Sequence, residues 1–344
     1  MTRQTARSST RGRPTAHPLC IGITAGDPNG IGPEVALKAA LGPQPANRRL
    51  VLVGHRAVWL RAATLLGRRP PPEIHELAAP IPRLCTWDPG PAPAPRPRPG
   101  RVCADAARAA YAYILAATAA AQTGHLQAIV TAPISKEAFQ LAGICEPGHT
   151  ELLARLTGAR RYAMMLFGDK IRVVLATRHL PLRKVADALT ADAIVDAVEL
   201  LACALPWMGF RRARIGVCGL NPHAGDGGAL GTEEQTILAP ALARCRRRGW
   251  NVAGPVPADV IFHQHLAGQF DAVVAMYHDQ GLAPLKMLSF ETGVNLTLGL
   301  PIVRTSPDHG TAFDLAGQGV AHSTSLRAAL DWAARLATRR NPWA

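Results

Sequence analysis

Along most of the chain, short apolar runs alternate with stretches of helical periodicity. Cys20–Thr24, Leu50–Gly54, Ala128–Thr131, Arg214–Leu220 and Asp271–Tyr277 read as strands, and Tyr162–Phe167 with Arg172–Thr177 as two more, close enough in sequence to pair. Gly32–Ala40, with Pro33 near its first turn, and a stretch ending at Leu66 read as helices. So do Ala191–Leu205, Thr232–Arg248 with Glu233 and Glu234 in its first turn, and Ser323–Arg339 with Ser323 as N-cap. The Ala-rich Val102–Gln122 reads as an amphipathic or buried helix. It carries Asp105 and Arg108, and no run of about 18 uncharged apolar residues occurs to span a bilayer. Strands that alternate with helices predict an α/β fold with a mainly parallel sheet, whose ligands gather beyond the carboxyl ends of the strands. Residues 1–17 read as a disordered tail and Pro89–Gly100 as a surface loop.

A chain of 344 residues with 48% hydrophobic residues suits one large or two medium domains. The net charge of +14 raises nucleic acid as a partner, but Arg3, Arg7, Arg11 and Arg13 sit in the tail, and Arg96, Arg98 and Arg101 in or beside the Pro-rich loop. Arg246, Arg247 and Arg248 end a helical pattern, where cations suit the dipole. No basic stretch is interleaved with aromatics, so an anionic small substrate accounts for the charge at least as well. Seven cysteines without a Cys-x-x-Cys pair read as reduced and structural. The acid-free N-terminus is a little like a transit peptide, but no apolar stretch long enough for a secretory signal follows; the expectation is a cytoplasmic protein with no membrane and no nucleic-acid partner.

Histidines leave three strand patterns at their carboxyl ends: His179 in Thr177–Leu182, His223 in Leu220–Gly228 and His278 in Met276–Leu282. Neutral imidazoles of this kind suit a divalent first-row metal, or they are incidental residues of mobile turns; long-range spacing leaves both readings open. Ser306–Gly317 is rich in small residues that let backbone approach a ligand, or it is a plain helix-to-loop junction. Thr131–Lys136 and Pro147–Glu151 frame a short helix; His149 there is a candidate base or phosphate contact, and Thr150 a candidate helix cap. His263 and His265 are two apart and point away from each other on a helix. Gly26–Gly32 lacks the Gly-x-Gly-x-x-Gly fingerprint, and there is no Walker A segment.

Taken together, these segments resemble the 4-hydroxythreonine-4-phosphate dehydrogenase family, from about Cys20 to Arg327. The resemblance rests on Gly26–Glu34, Gly148–Glu151, Thr177–Pro181, Leu220–Gly228, Tyr277–Leu282, Gly293–Pro301 and Arg304–Gly317. It implies two α/β/α domains related in fold to isocitrate and isopropylmalate dehydrogenases, with the active site in the interdomain cleft. The first domain would be residues 18–140 with 288–344, the second 141–287 with the metal and a dimer interface. His179, His223 and His278 match the family's metal ligands, one contributed across a homodimer with a shared site. His149, Thr150, Lys286, Asn295 and Arg304 match substrate contacts. His309, Gly310, Thr311, Ala312 and Asp314 resemble a nucleotide-binding segment that would hold NAD or NADP. His149, Lys286 and Asp259 are the catalytic candidates, with helix capping as the alternative role of Asp259. Ser135 stands where some members carry a His before the Lys, and is not read as catalytic.

The implied reaction is oxidation of 4-phosphooxy-L-threonine to a β-keto acid that decarboxylates, in vitamin B6 synthesis, assisted by zinc, magnesium or cobalt. The alternative is a D-erythronate or D-threonate 4-phosphate dehydrogenase of sugar-acid catabolism. Relatives acting on aromatic cis-diols fit the phosphate contacts less well. A three-His hydrolase and a non-catalytic binding protein are the rivals from other classes, the first at odds with the nucleotide-like segment.

Overall fold

The computed structural model describes residues 18–78, 80–90 and 93–344; the expected tail, 1–17, lies outside them. The strands are β1 (Leu19–Thr24), β2 (Arg48–Val53), β3 (Glu73–Ile74), β4 (Leu84–Trp87), β5 (Ala128–Thr131), β6 (Ala163–Phe167), β7 (Arg172–Leu175), β8 (Ile215–Cys218), β9 (Val252–Val256), β10 (Ala272–Ala275), β11 (Val294–Leu298) and β12 (Arg304–Pro307). The helices are α1 (Gly32–Leu41), α2 (Arg56–Leu65), α3 (Ala104–Gln122), α4 (Lys136–Leu141), α5 (His149–Thr157), α6 (Val185–Ala188), α7 (Ala191–Met208), α8 (Ala239–Arg247), α9 (Ala258–Leu266), α10 (His278–Ser289) and α11 (Thr324–Ala337).

All twelve strands form one sheet, in the order β3-β4-β2-β1-β5-β12-β11-β6-β7-β10-β8-β9. Pairing is parallel except at β12–β11, β11–β6 and β6–β7. Strand direction therefore reverses in the middle, and the carboxyl ends of β5 and β12 point opposite to those of β7, β10 and β8. The sheet passes without a break from the strands of one expected domain to those of the other at β11–β6. Apart from the edge strands β3 and β9, its strands are largely buried on both faces, as a sheet flanked by helices requires.

Most elements follow the hydrophobic pattern, with differences at the ends. Thr232–Arg248 is not uniformly helical, because Glu234–Leu238 takes a π-helical turn before α8 begins. Ser323 occupies the N-cap position of α11 without making a cap bond; Ser325 Oγ instead donates to Gly293 O (2.6 Å) and accepts from Asp308 N (3.1 Å). β11 and β12 were read as motif and loop, since Asn, Thr, Arg and Ser interrupt the apolar run.

The loop after β1 is built around Gly26 (φ +67°), where a Cβ would lie 2.3 Å from Pro133 O. Only glycine lets this turn close onto the turn after β5. Ile31 N then donates to Thr311 O (2.9 Å), and Gly100 N to Asn29 O (2.8 Å), so three loops clasp one another above the β1–β5 edge.

Candidate active site

A cavity of about 410 Å³ opens beside the middle of the sheet, where strand direction reverses. Such a switch point leaves diverging loops and room for a ligand. Its wall brings together His149, Thr150, Lys286, Asn295 and Arg304, which lie far apart in sequence, with His179, His278, His309 and Gly310.

Arg304 opens β12 and is 2% exposed. Its Nε and Nη2 donate to Thr131 Oγ1 (3.0 and 2.7 Å) and its Nη1 to Thr297 Oγ1 (3.0 Å). Two neutral hydroxyls hold the guanidinium, and no carboxylate pairs with it among the described residues. Burial lowers its pKa to about 9, partly opposed by Glu151. A buried cation without a counter-ion is costly, and an anionic ligand relieves that cost. Lys286, on α10, pairs with Asp308 Oδ2 at 2.8 Å and also donates to the Asp308 carbonyl.

His149 opens α5, and its Nε2 is buried without a partner. Burial first, and Arg304 second, push its pKa well below the usual range, so the ring is neutral and can donate or accept but adds no charge. Asn295 Oδ1 and His309 Nε2 are likewise buried and unpartnered on the same wall. Each such atom costs about 1–3 kcal/mol until a ligand satisfies it. Thr150 is buried in the first turn of α5, but its side chain makes no cap bond.

His179 follows β7 and His278 opens α10; their ring centroids are 5.4 Å apart. His278 Nδ1 contacts Asp279 Oδ1 at 2.7 Å, which leaves Nε2 available to a ligand. A carboxylate behind the outer nitrogen of a histidine is the usual support of a metal-bound imidazole. Burial, then Lys136 and His278, lower the His179 pKa and favour the neutral ring that a metal needs. The buried Gln280 braces the strand ends behind them, accepting from Met276 N (2.7 Å) and donating to Gly219 O (2.8 Å).

His223 does not join them. It lies outside the cavity, exposed, and begins a left-handed run in which His223, Ala224, Gly225, Asp226 and Gly227 all have positive φ. Left-handed non-glycine residues cost about 1–2 kcal/mol each. The buried Glu234 carboxylate (4% exposed) holds the loop: Oε1 accepts from Leu220 N (2.7 Å) and Asn221 N (2.8 Å), and Oε2 from Asn221 Nδ2 (3.0 Å). Among the described residues, no three His, Cys, Asp or Glu side chains are placed to hold one metal ion. Within one chain, then, the predicted metal triad is two histidines and one absentee. Asp259 is also outside the cavity, exposed in the first turn of α9, which packs against the His223 loop. Its position fits an acid at the positive end of the helix dipole.

Of the nucleotide-like segment, His309 and Gly310 reach the cavity. Thr311 turns back against Gly30 and Ile31, Ala312 follows with φ +40°, and Asp314 is exposed. His265 is structural: buried, with Nδ1 2.8 Å from Phe270 O and Nε2 accepting from Arg172 N. Sequence reasoning read Glu234 only as an acid in the first turn of a helix, and gave the side chains of Thr131, Thr297 and Asp279 no role although all three lie in segments it singled out.

Residues 46–333 match the family described as pyridoxal phosphate biosynthetic protein PdxA. The chain is 45% identical over 332 residues to a 4-hydroxythreonine-4-phosphate dehydrogenase of Beijerinckia indica, covering 93% of this chain and 95% of that one. It is 43% identical over 332 residues to a D-threonate 4-phosphate dehydrogenase of Salmonella typhimurium (92% and 98%). The crystal structure of 4-hydroxythreonine-4-phosphate dehydrogenase from Klebsiella pneumoniae superposes with a TM-score of 0.80 at 41% identity, over 93% of this chain and 99% of that one. Chain-long identity, shared fold and the side chains gathered in the cavity agree: the chain belongs to the PdxA family and is an oxidoreductase.

Proposed function

We propose that the chain oxidises 4-phosphooxy-L-threonine with NAD or NADP and a divalent metal, giving a β-keto acid that decarboxylates to 3-amino-2-oxopropyl phosphate for pyridoxal phosphate synthesis. One observation carries this reading: Arg304 is buried and, among the described residues, unpaired by any carboxylate, next to neutral His149 and beside Lys286 and Asn295, in a cavity that also holds His179 and His278. That wall suits a phosphate or carboxylate at one end and a metal-chelating hydroxyl at the other.

His179 and His278 would hold zinc, cobalt or magnesium, which favours the alkoxide form of the substrate hydroxyl, and the His309–Asp314 segment would present the nicotinamide nucleotide that accepts hydride. The chain's own groups do the rest. Arg304 and Lys286 neutralise anionic groups of the substrate. His149, Thr150 and Asn295 fix its orientation, and His149 or Lys286 relays the hydroxyl proton. A second copy of the chain supplies His223, with Asp259 beside it, and completes the metal set in a shared site. The exposed apolar side chains Leu180, Leu182, Leu230, Met287 and Phe290 support such a homodimer. The division into 18–140 with 288–344 and 141–287 belongs to this reading, because the cavity lies where strands of both units meet.

A second reading has its own support: a relative named D-threonate 4-phosphate dehydrogenase is almost as similar as one named for the amino acid. The test is NADH formation at 340 nm with 4-phosphooxy-L-threonine, run beside D-threonate and D-erythronate 4-phosphates. Turnover of the amino acid that chelator abolishes supports the first reading. Turnover of the sugar-acid phosphates alone establishes the second, and no NADH from any of them rejects both.

A further inference from the structure

Gly26–Glu34 carries part of the family resemblance, yet neither it nor α1, the helix it leads into, lines the cavity. The neighbour of α1 is the loop after β12. At the near end of that loop, Ile31 N donates to Thr311 O (2.9 Å). At the far end, two side chains of α1 take hold. Glu34 Oε2 accepts from Gly319 N (3.0 Å), and Lys38 Nζ donates to the carbonyls of Gly319 and Ala321 (2.7 Å each). One helix thereby holds both backbone polar groups of Gly319 (φ +71°). Glu34 and Lys38 stand four residues apart on one face of α1, and the groups they grip are 281 to 285 positions away. A cation in the last turn of a helix suits the dipole without any partner. Lys38 does more, since its ammonium closes one end of another segment.

That segment has little else to shape it. From 308 to 323 the chain forms neither strand nor helix, and Asp314, Leu315, Gly317 and Gln318 are exposed. The Pro-rich loop backs its middle: a Cβ on Gly317 would lie 2.9 Å from Pro99 Cβ. An irregular loop that had to order itself around a dinucleotide would lose affinity to that ordering, and a loop fixed beforehand would not. We infer that Glu34 and Lys38 are positioning residues for the dinucleotide, holding the loop after β12 from behind in the shape that receives it. This rests on the nucleotide role proposed above for His309–Asp314 and deepens it by naming what sets that segment's shape.

The experiment uses metal-loaded wild type, Lys38→Met, Lys38→Arg, Glu34→Gln and Glu34→Ala. It measures kcat, KM for the dinucleotide and KM for the phosphorylated substrate, with thermal unfolding of each protein. Equilibrium binding is read by fluorescence with NADH or NADPH, whichever the wild type binds more tightly. Lys38→Met is expected to raise KM for the dinucleotide and weaken reduced-dinucleotide binding about tenfold or more, while KM for the phosphorylated substrate and kcat at saturation stay within about threefold. Lys38→Arg, which can still donate to both carbonyls, restores most of the affinity. Glu34→Gln keeps an acceptor for Gly319 N and binds nearly as wild type, whereas Glu34→Ala binds more weakly. Parallel losses in the two KM values, a fall in kcat alone, or dinucleotide affinity within about threefold of wild type in Lys38→Met would overturn the inference. Equal affinity in the two Glu34 variants would remove Glu34 from the pair. Failure of the oxidation reading looks different: a wild type that binds reduced dinucleotide but turns over no substrate rejects the reaction, while loss of that binding in Lys38→Met still assigns Lys38 its role. A wild type that binds neither dinucleotide rejects both.

Discussion

Arg304 concentrates the chemistry of the site in one side chain. Its planar fork grips two threonine hydroxyls on different strands and keeps N–H groups for a ligand, which a lysine ammonium cannot reproduce. Arg304→Lys is expected to cost about a hundredfold or more in kcat/KM in steady-state assays; a loss under about threefold would remove Arg304 from substrate binding. A second residue-scale prediction concerns Asp27, 1% exposed, whose Oδ1 accepts from Asn29 N while Oδ2 finds no partner. Burial pushes its pKa up to about 6, the Asn29 amide opposing and Asp105 adding to the rise. The folded state therefore holds this proton more tightly than the unfolded chain does. The stability this provides is complete below the unfolded pKa near 4 and is lost as pH rises through about 6, on the order of 3 kcal/mol. Urea unfolding of Asp27→Asn between pH 4 and 7.5 should lack that decline; parallel profiles for the two proteins would contradict it.

At the scale of elements, the left-handed turn after β8 is a costly piece of backbone. Six successive positive-φ residues, His223 to Gly228, three of them not glycine, are held by one buried carboxylate. Burial alone would raise the Glu234 pKa, but hydrogen bonds from Asn221 and Leu220 outweigh it and leave the group more acidic than usual. This contribution is present above the unfolded pKa of a glutamate and is lost as pH falls through the lower, folded value. Gly225 is in contact with that carboxylate: its φ is +83°, and a Cβ would lie 2.6 Å from Glu234 Oε2. Gly225→Ala is expected to destabilise the protein by more than about 2 kcal/mol and to abolish metal-dependent turnover, as read by thermal unfolding and NADH assay. An unchanged melting temperature would mean that the turn adapts freely. Such strain, beginning at an exposed histidine, fits a loop built to present His223 outward.

The whole molecule decides whether that presentation matters. One chain gathers His179 and His278 but leaves His223 outside the cavity. If two copies share sites, His179→Ala and His223→Ala proteins are each inactive, yet mixing them creates hybrid dimers with one intact site. Random exchange should recover roughly a quarter of wild-type activity, since half of the dimers are hybrids with one of two sites restored. No recovery after denaturation and co-refolding would place all metal ligands within one chain. Light scattering should show a dimer for wild type and for both variants.

Much of this was legible in order along the chain. The alternation of β1, α1, β2, α2 and of α7, β8, β10 followed from apolar runs and helical periodicity, because each such strand is buried on both faces and each such helix packs apolar residues against the core. His149 was marked by its place in Pro147–Glu151, but Lys286 and Arg304 were singled out only by resemblance to a family motif, and resemblance carries residue types without geometry. β11 and β12 were not recognised as strands, since Asn295, Thr297, Arg304 and Ser306 point polar groups into the cavity or onto one another and so break the hydrophobic signal. The sequence by itself determined the fold class and the kinds of groups the site would use. Only the tertiary structure decided that Thr131 and Thr297 hold Arg304, and that His223 turns away from His179 and His278. Those contacts join residues from 7 to 173 positions apart and depend on where strand direction reverses within one sheet, which no local pattern encodes.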